Sequence, residues 1–277
     1  DRALILVNEV FGQQAQYGGA VIVVGVLFYS LQQYCDFSGG IDISRGVAQI
    51  FGIDMVQNFK RPYFATTING YWRRWHISLS SWLRDYLYIS LGGNRRGKVR
   101  TYLNLIITML LGGLWHGVGM TFIAWGLLHG VALALHKMWL RFVPRAKAVG
   151  RDMRPFWRIL ATLFTFNLVA FGWLLFTAED MTVVEDMLSR IAYNFSFADF
   201  VPMIEGSKVA MIMMAVGYVM HFLPKSLNNS AVRGITHLGF VGEWVIVVVA
   251  IWLVMQCDAL LMLHTGAGGG LPMYAAF

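Results

Sequence analysis

The chain alternates between long apolar stretches and shorter segments that are rich in charge. Five stretches are long enough to cross or enter a bilayer, at residues 18–32, 101–136, 159–176, 209–223 and 241–263. A straight crossing needs about 20 apolar residues, so the stretches at 18–32 and 209–223 are short and could instead be core helices at membrane depth. The pattern predicts an all-α, polytopic membrane protein built as a helical bundle.

The stretch at 101–136 is too long for one crossing and is interrupted in its middle by Gly112, Gly113, Gly117 and Gly119. Its two ends are basic, which predicts either two antiparallel helices or a broken re-entrant pair. Broken helices at membrane depth are tolerated only inside protein or beside a water-filled cavity. The break therefore marks a candidate site.

The segment at 36–97 lacks a long apolar run and mixes aromatic with charged residues. Its large side chains recur at helical spacing, which predicts amphipathic helices lying at the membrane interface or packed against the cytoplasmic side of the bundle. These side chains are Trp72, Trp75, Leu79, Trp82, Leu83 and Tyr86.

Composition supports a bilayer as the solvent. Hydrophobic residues make up 57% of the chain and charged residues 13%, against about 25% charged residues in soluble domains. The net charge of +7 is concentrated in two loops, at 94–100 and 137–158. Such clusters can bind nucleic acid, but beside apolar helices the positive-inside rule explains them better. We therefore predict cytoplasmic basic loops and no nucleic-acid partner.

Two histidines are candidates for chemistry. His116 lies among glycines within apolar sequence, where an ionisable side chain is a functional hypothesis by default; a neutral imidazole there can accept a proton from a hydroxyl. The alternative is a core histidine that bonds to a carbonyl. His76 follows Arg73 and Arg74, which could bind phosphate or an acidic carrier, or could simply anchor the segment at the interface.

The remaining polar residues give weaker signals. His129 and His136 share a helix face at a spacing that is not the four-residue metal pair, so we interpret both as structural. Asp36 and Asp42 are interpreted as helix caps or as partners of arginines. The sequence contains no phosphate-binding glycine loop and no spacing typical of a metal site.

Four strings taken together resemble the membrane-bound O-acyltransferase family, in particular its bacterial branch of alginate, peptidoglycan and teichoic acid enzymes. They cover residues 34–136 densely, in the family's order and spacing. The strings are Tyr34-Cys35-Asp36-Phe37-Ser38-Gly39, Asn58-Phe59-Lys60-Arg61-Pro62-Tyr63, Tyr71 to Tyr88 with Leu91-Gly92-Gly93-Asn94-Arg95, and Leu114-Trp115-His116-Gly117.

The resemblance implies that His116 is the catalytic base and His76 a second active-site residue. It also implies acyl transfer, with acetyl as the expected group, from a cytoplasmic thioester such as acetyl-CoA or an acyl carrier, without a bound cofactor or metal. The acceptor would be a hydroxyl of an extracytoplasmic polysaccharide, and a separate extracytoplasmic acetyltransferase would complete the delivery. The protein itself would lie in the bacterial inner membrane, in contact with its lipid. Candidates for binding substrate or donor are Arg73, Arg74, Trp75, Trp115 and Asp36.

The resemblance also implies one domain over residues 1–277, with a motif core at 34–136. The helices that precede the Asp36 string in the family are nearly absent here, so we expect the sequence to be the C-terminal part of a longer protein. Two alternatives stay open. The first is an acyltransferase acting on lipid or protein, and the second is a transporter in which His116 relays protons. The sequence does not name the acceptor polymer.

Overall fold

The computed structural model describes residues 2–142, 154–198, 200–206 and 208–265. In these ranges the regular structure is helical and contains no strand, which confirms the all-α prediction. The longer helices are α1 (Arg2–Gly12), α2 (Gly19–Ile50), α5 (Lys98–His116), α6 (Met120–Phe142), α7 (Pro155–Thr177), α8 (Met181–Tyr193), α10 (Lys208–Phe222), α11 (Lys225–Thr236) and α12 (Gly239–Thr265). The short ones are α3 (Ile68–Trp72), α4 (Ile77–Trp82) and α9 (Phe200–Gly206).

The contacts divide the chain into two compact units. One is Leu6–Ser207, and the other joins Asp1–Ile5 to Lys208–Phe277. Both candidate histidines and all the matching strings lie in the first unit. The single domain expected over residues 1–277 stays a prediction.

Three helices are long and apolar enough to cross a membrane, namely α2, α6 and α7. A fourth candidate is the bent pair Ser230–Thr236 and Gly239–Leu253, whose two parts meet at 116°. The stretch expected at 209–223 forms the shorter apolar helix α10. The chain is therefore a membrane protein. Residues 143–153, which are part of the predicted basic loop at 137–158, lie outside the described residues.

The stretch at 101–136 forms two antiparallel helices, α5 and α6, which is one of the two predicted arrangements. Three glycines bring the two backbones together. A Cβ on Gly126 would lie 2.6 Å from the Met109 carbonyl oxygen, and one on Gly130 would lie 2.8 Å from the Cα of Ile106. Gly113 approaches the Phe122 carbonyl oxygen as closely. Small residues allow this approach, which is typical of helix pairs in membranes.

Helix α2 is much longer than the apolar stretch at 18–32 that predicted it. It continues through Asp36 and Asp42 to Ile50, so the prediction that these two aspartates cap helices is wrong. The first half is mostly buried, whereas the second half is largely exposed. A helix outside the hydrophobic core does not need apolar residues, which explains why hydropathy missed this part. Asp42 instead pairs with Arg45 at 3.3 Å.

The aromatic segment after α2 forms several short helices. Helix α3 ends at Trp72, and the backbone turns at His76 before α4 begins. Helix α4 then runs directly into a π-helical turn at Leu83–Tyr88. The helical spacing of the aromatic residues was real, but the left-handed backbone at His76 divides the pattern.

Candidate active site

An aromatic core connects the two candidate histidines. Trp75, next to His76, packs against Trp173 at 5.0 Å between ring centroids. Trp173 packs against Phe176 at 5.5 Å, and Phe176 packs edge-on against His116 at 5.0 Å. Helices α5 and α7 and the loop before α4 thus bring residues 40 positions apart in the sequence into one cluster.

His116 is the last residue of α5 and is half-buried. Its ring meets Trp125 edge-on at 5.5 Å and lies nearly parallel to Phe122 at 6.4 Å. In the described part of the chain, no side chain or carbonyl holds its ring nitrogens by a hydrogen bond. The aromatic walls fix the ring while its nitrogens remain available to a substrate hydroxyl.

His76 has an unusual backbone. Its φ of 41° and ψ of 60° place it in the left-handed region, shared among the described non-glycine residues by Arg61 alone. Histidine visits this region more often than most residues, yet such conformations cost about 1–3 kcal/mol and cluster at functional sites. The side chain packs edge-on against Phe37 of α2 at 4.6 Å.

The environment of His76 keeps its imidazole neutral. Burial lowers the pKa of His76 to about 4, and the nearby His116 adds to the shift. A neutral ring offers one N–H donor and one acceptor nitrogen. At pH 7 it can therefore donate a hydrogen bond to a carbonyl oxygen without carrying a charge.

A cavity of about 800 Å³ with several cationic lining residues lies in the same unit. It lies between α3, α4 with its π-helical turn, and the α5–α6 hairpin, and its inner wall reaches Met109 and Trp72. Met109 stands seven residues, or about 10 Å along the helix axis, before His116. The cationic and histidine residues of the lining are Arg73, Arg84, Lys98, His136, Lys137 and Arg141.

The cations of this cavity differ in their partners. Arg84 is neutralised by Asp85, with nitrogen–oxygen distances of 2.7 and 2.9 Å. Lys137 donates to the Tyr88 hydroxyl at 3.2 Å and to Asn94. Among the described residues, Arg73, Lys98 and Arg141 have no carboxylate partner. These last cations are available to a negatively charged ligand.

The other predicted site residues are placed differently. Arg73 lines the cavity, whereas Arg74 uses its backbone carbonyl to accept from Lys60 N at 3.0 Å. Trp75 is buried and stacks on Tyr71, at 5.8 Å. Trp115 is 67% exposed and meets His116 edge-on at 4.9 Å. The buried Oδ2 of Asp36 has no hydrogen-bond partner among the described residues.

Sequence reasoning missed two features of the site. The cavity combines side chains from three separate segments, and no single motif signals that combination. Asn58, which stands in one of the matching strings, is buried and bonds to the loop that carries His76.

His129, interpreted as structural, is 1% exposed and packs between Trp72 and Trp125. In the described ranges, no three His, Cys, Asp or Glu side chains form a metal-type group.

The comparison with known families agrees with this geometry. The family model of the membrane-bound O-acyltransferases, MBOAT, matches residues 12–177, which is more than half of the chain and includes both histidines and the cavity. The chain belongs to the membrane-bound O-acyltransferase family. The prediction made from the four strings is confirmed at this level.

Three curated relatives show the branch of this membrane-bound O-acyltransferase. The chain is 47% identical over 178 residues to the probable alginate O-acetylase of Pseudomonas syringae pv. tomato, covering 64% of the chain and 32% of the relative. It is 46% identical over 155 residues to the peptidoglycan O-acetyltransferase of Helicobacter pylori, covering 56% and 28%. It is 33% identical over 172 residues to the teichoic acid D-alanyltransferase of Streptococcus thermophilus, covering 56% and 41%. The matched part thus spans less than half the length of each relative.

Proposed function

We propose that this protein transfers an acyl group, with acetyl as the expected group, from a cytoplasmic thioester towards a hydroxyl of an extracytoplasmic polysaccharide. Two of the three relatives carry acetyl transfer in their names, and the third carries D-alanyl transfer. The acceptor polymer is reached with a partner acetyltransferase outside the membrane. The protein would be a multi-pass protein of the bacterial inner membrane.

The observation that carries this proposal is the position of the basic cavity relative to the histidines. Its unpaired cations suit the phosphates of acetyl-CoA or of a carrier's prosthetic arm. Neither candidate histidine lines the cavity, but Trp72 of its wall packs against Trp125 at 5.8 Å, and Trp125 packs against His116 at 5.5 Å. A donor bound by its anionic end would direct its acyl end to the histidines.

The chemistry requires one base and one hydrogen-bond donor. The neutral ring of His116 takes the proton of the acceptor hydroxyl, while the hydroxyl oxygen forms a bond to the acyl carbonyl carbon. His76 donates a hydrogen bond to the carbonyl oxygen, where negative charge develops. The carbon–sulfur bond then breaks, and the leaving thiolate takes the proton from His116. The products are an ester and a free thiol, so no cofactor is needed.

Neutralising an unpaired cation of the cavity should weaken donor binding. For Lys98→Gln in the full-length protein, we expect the KM for acetyl-CoA or acyl carrier to rise about 5-fold, since exposed charge pairs contribute up to about 1 kcal/mol. The difference should shrink at high salt because exposed charges are screened. Thioester consumption and ester formation are followed in proteoliposomes.

Arg158→Gln is the matched control for this measurement, because Arg158 is an exposed basic residue near the start of α7 that does not line the cavity. It should leave the KM unchanged. Equal effects of both variants would show that the cavity does not bind the donor.

A full-length protein that moves protons but consumes no thioester in the presence of acceptor and partner would be a transporter, and would refute the proposed function.

The proposed topology places the basic loop at 94–100 in the cytoplasm, because short basic loops resist translocation. The acidic turn between α7 and α8 should lie on the opposite side. In a background without native cysteines, Glu179→Cys should react with a membrane-impermeant maleimide added to intact cells. Arg95→Cys should react only after the membrane is opened. Both positions are exposed. Strong labelling at position 95 in intact cells would show that the loop at 94–100 lies outside the cytoplasm and would contradict the proposed topology.

A further inference from the structure

The loop that carries His76 is held by one buried asparagine. The carbonyl oxygen of Asn58 accepts from Ile77 N at 3.1 Å, and its side-chain Oδ1 accepts from Ser78 N at 2.9 Å. These are the two backbone N–H groups directly after His76. Asn58 itself is 6% exposed, so its bonds are shielded from competing water.

Further bonds fix the same loop on both sides. Lys60 N donates to the Arg74 carbonyl at 3.0 Å, which connects the segment after Asn58 to the residues before His76. The Ser80 hydroxyl donates to the Trp75 carbonyl at 3.1 Å. Hydrogen bonds thus hold the backbone on either side of His76, which itself takes the left-handed conformation.

We propose that Asn58 is the positioning residue for His76. This inference rests on the proposed function, in which His76 donates to the acyl carbonyl oxygen. The start of a helix leaves backbone N–H groups without partners, and His76, which precedes α4, provides no side-chain cap. Asn58 satisfies two of these groups from another segment. It thereby stabilises a backbone conformation that the loop would otherwise leave, and fixes the direction of the imidazole.

A positioning role predicts a loss in kcat instead of a loss in binding. In the full-length protein, Asn58→Ala removes the side-chain acceptor and lets the loop relax, so kcat should fall about 10- to 100-fold, because a shift of about 1 Å at a catalytic group costs up to about 100-fold. The KM for the thioester donor should stay within about 2-fold of its original value, since Asn58 does not line the cavity. Ester formation is measured per molecule of inserted protein.

The conservative variant separates positioning from polarity. Asn58→Asp keeps an oxygen at the Oδ1 position, and its negative charge is favourable beside the N–H groups of a helix start. It should retain at least about ten times the kcat of Asn58→Ala. Asn58→Gln moves the oxygen outward by one methylene group and should behave like Asn58→Ala. It replaces that variant if Asn58→Ala does not insert.

Asp180→Ala is the matched control. The Asp180 carboxylate also accepts from two backbone N–H groups, Thr182 N at 2.8 Å and Val183 N at 3.0 Å, at the start of a helix outside the aromatic core. Its loss removes a helix cap and can lower the amount of inserted protein, but kcat per inserted molecule should change by about 2-fold at most, because, among the described residues, Asp180 contacts the loop of neither histidine.

The double variant decides the assignment. If Asn58 acts through His76, Asn58→Ala should cause no further loss of kcat in a His76→Ala background, because residues that act as a unit are not additive. A wild-type kcat for Asn58→Ala, or an additive loss in the double variant, would overturn the inference while leaving the proposed function intact. A wild-type kcat for His76→Ala would instead remove the role of His76, and the inference with it.

Discussion

His116→Ala should lower acyl transfer by about 100- to 10,000-fold, the range that a positioned general base contributes, without changing the amount of inserted protein. The reason is the setting of the ring, which is half-buried against Trp125 and Phe176. Among the described residues, no hydrogen bond holds its nitrogens. Truncation therefore removes a proton acceptor without leaving a buried polar partner unsatisfied.

His116→Asn distinguishes a base from a hydrogen-bonding group. An amide can still donate and accept hydrogen bonds, but it cannot take a proton near neutral pH, so this variant should be as inactive as His116→Ala. At His76 the expectation is reversed. His76→Asn should keep more activity than His76→Ala, because the amide can donate to the carbonyl oxygen and because asparagine tolerates the left-handed conformation.

The control for His116 is a histidine with a purely structural setting. His129 is completely buried, and its Nε2 would lie 2.8 Å from a Cβ on Gly172. His129→Ala leaves a void in the aromatic core, so the amount of inserted protein should fall while activity per molecule falls less than about 10-fold. If His116→Ala showed this pattern instead, His116 would be a structural residue and the proposed mechanism would fail.

The sequence predicted the features that follow from local pattern. The glycines inside the stretch at 101–136 interrupt an apolar run, and a bilayer tolerates such an interruption only within protein. The break beside His116 was therefore predictable, although the pattern left open whether it joins two antiparallel helices or a re-entrant pair. The second half of α2 was not predictable in this way, since hydropathy detects continuous apolar runs and carries no information about a helix that continues through polar sequence.

The features that sequence reasoning missed depend on contacts between distant segments. The left-handed backbone of His76 is held by Asn58, which stands 18 positions earlier in the chain. The basic cavity likewise joins Arg73 to Lys98 and Arg141 from separate helices. Helical periodicity treats each segment alone, so it gave no signal for the turn that the tertiary contacts impose at His76.

Gly113→Ala should abolish assembly of the α5–α6 hairpin or, in any protein that inserts, reduce acyl transfer about 100-fold. Gly113 stands one turn before His116, at a close backbone contact between α5 and α6. An added Cβ would lie 3.2 Å from the Cα of Gly126 and would overlap the Phe122 carbonyl oxygen. Because these neighbours are backbone atoms, they cannot rotate away, and the two helices must separate.

Gly112→Ala is the control at the adjacent position. A Cβ there meets Leu83 Cδ1 at 3.3 Å, the end of a side chain that can adjust. Replacing glycine by alanine within a helix otherwise gains about 0.5–1 kcal/mol through lower conformational entropy in the unfolded chain. Gly112→Ala should therefore insert and turn over like the unmodified protein, whereas Gly113→Ala should not. Similar behaviour of the two variants, measured as inserted protein and as transfer per molecule, would show that close packing at Gly113 does not fix His116.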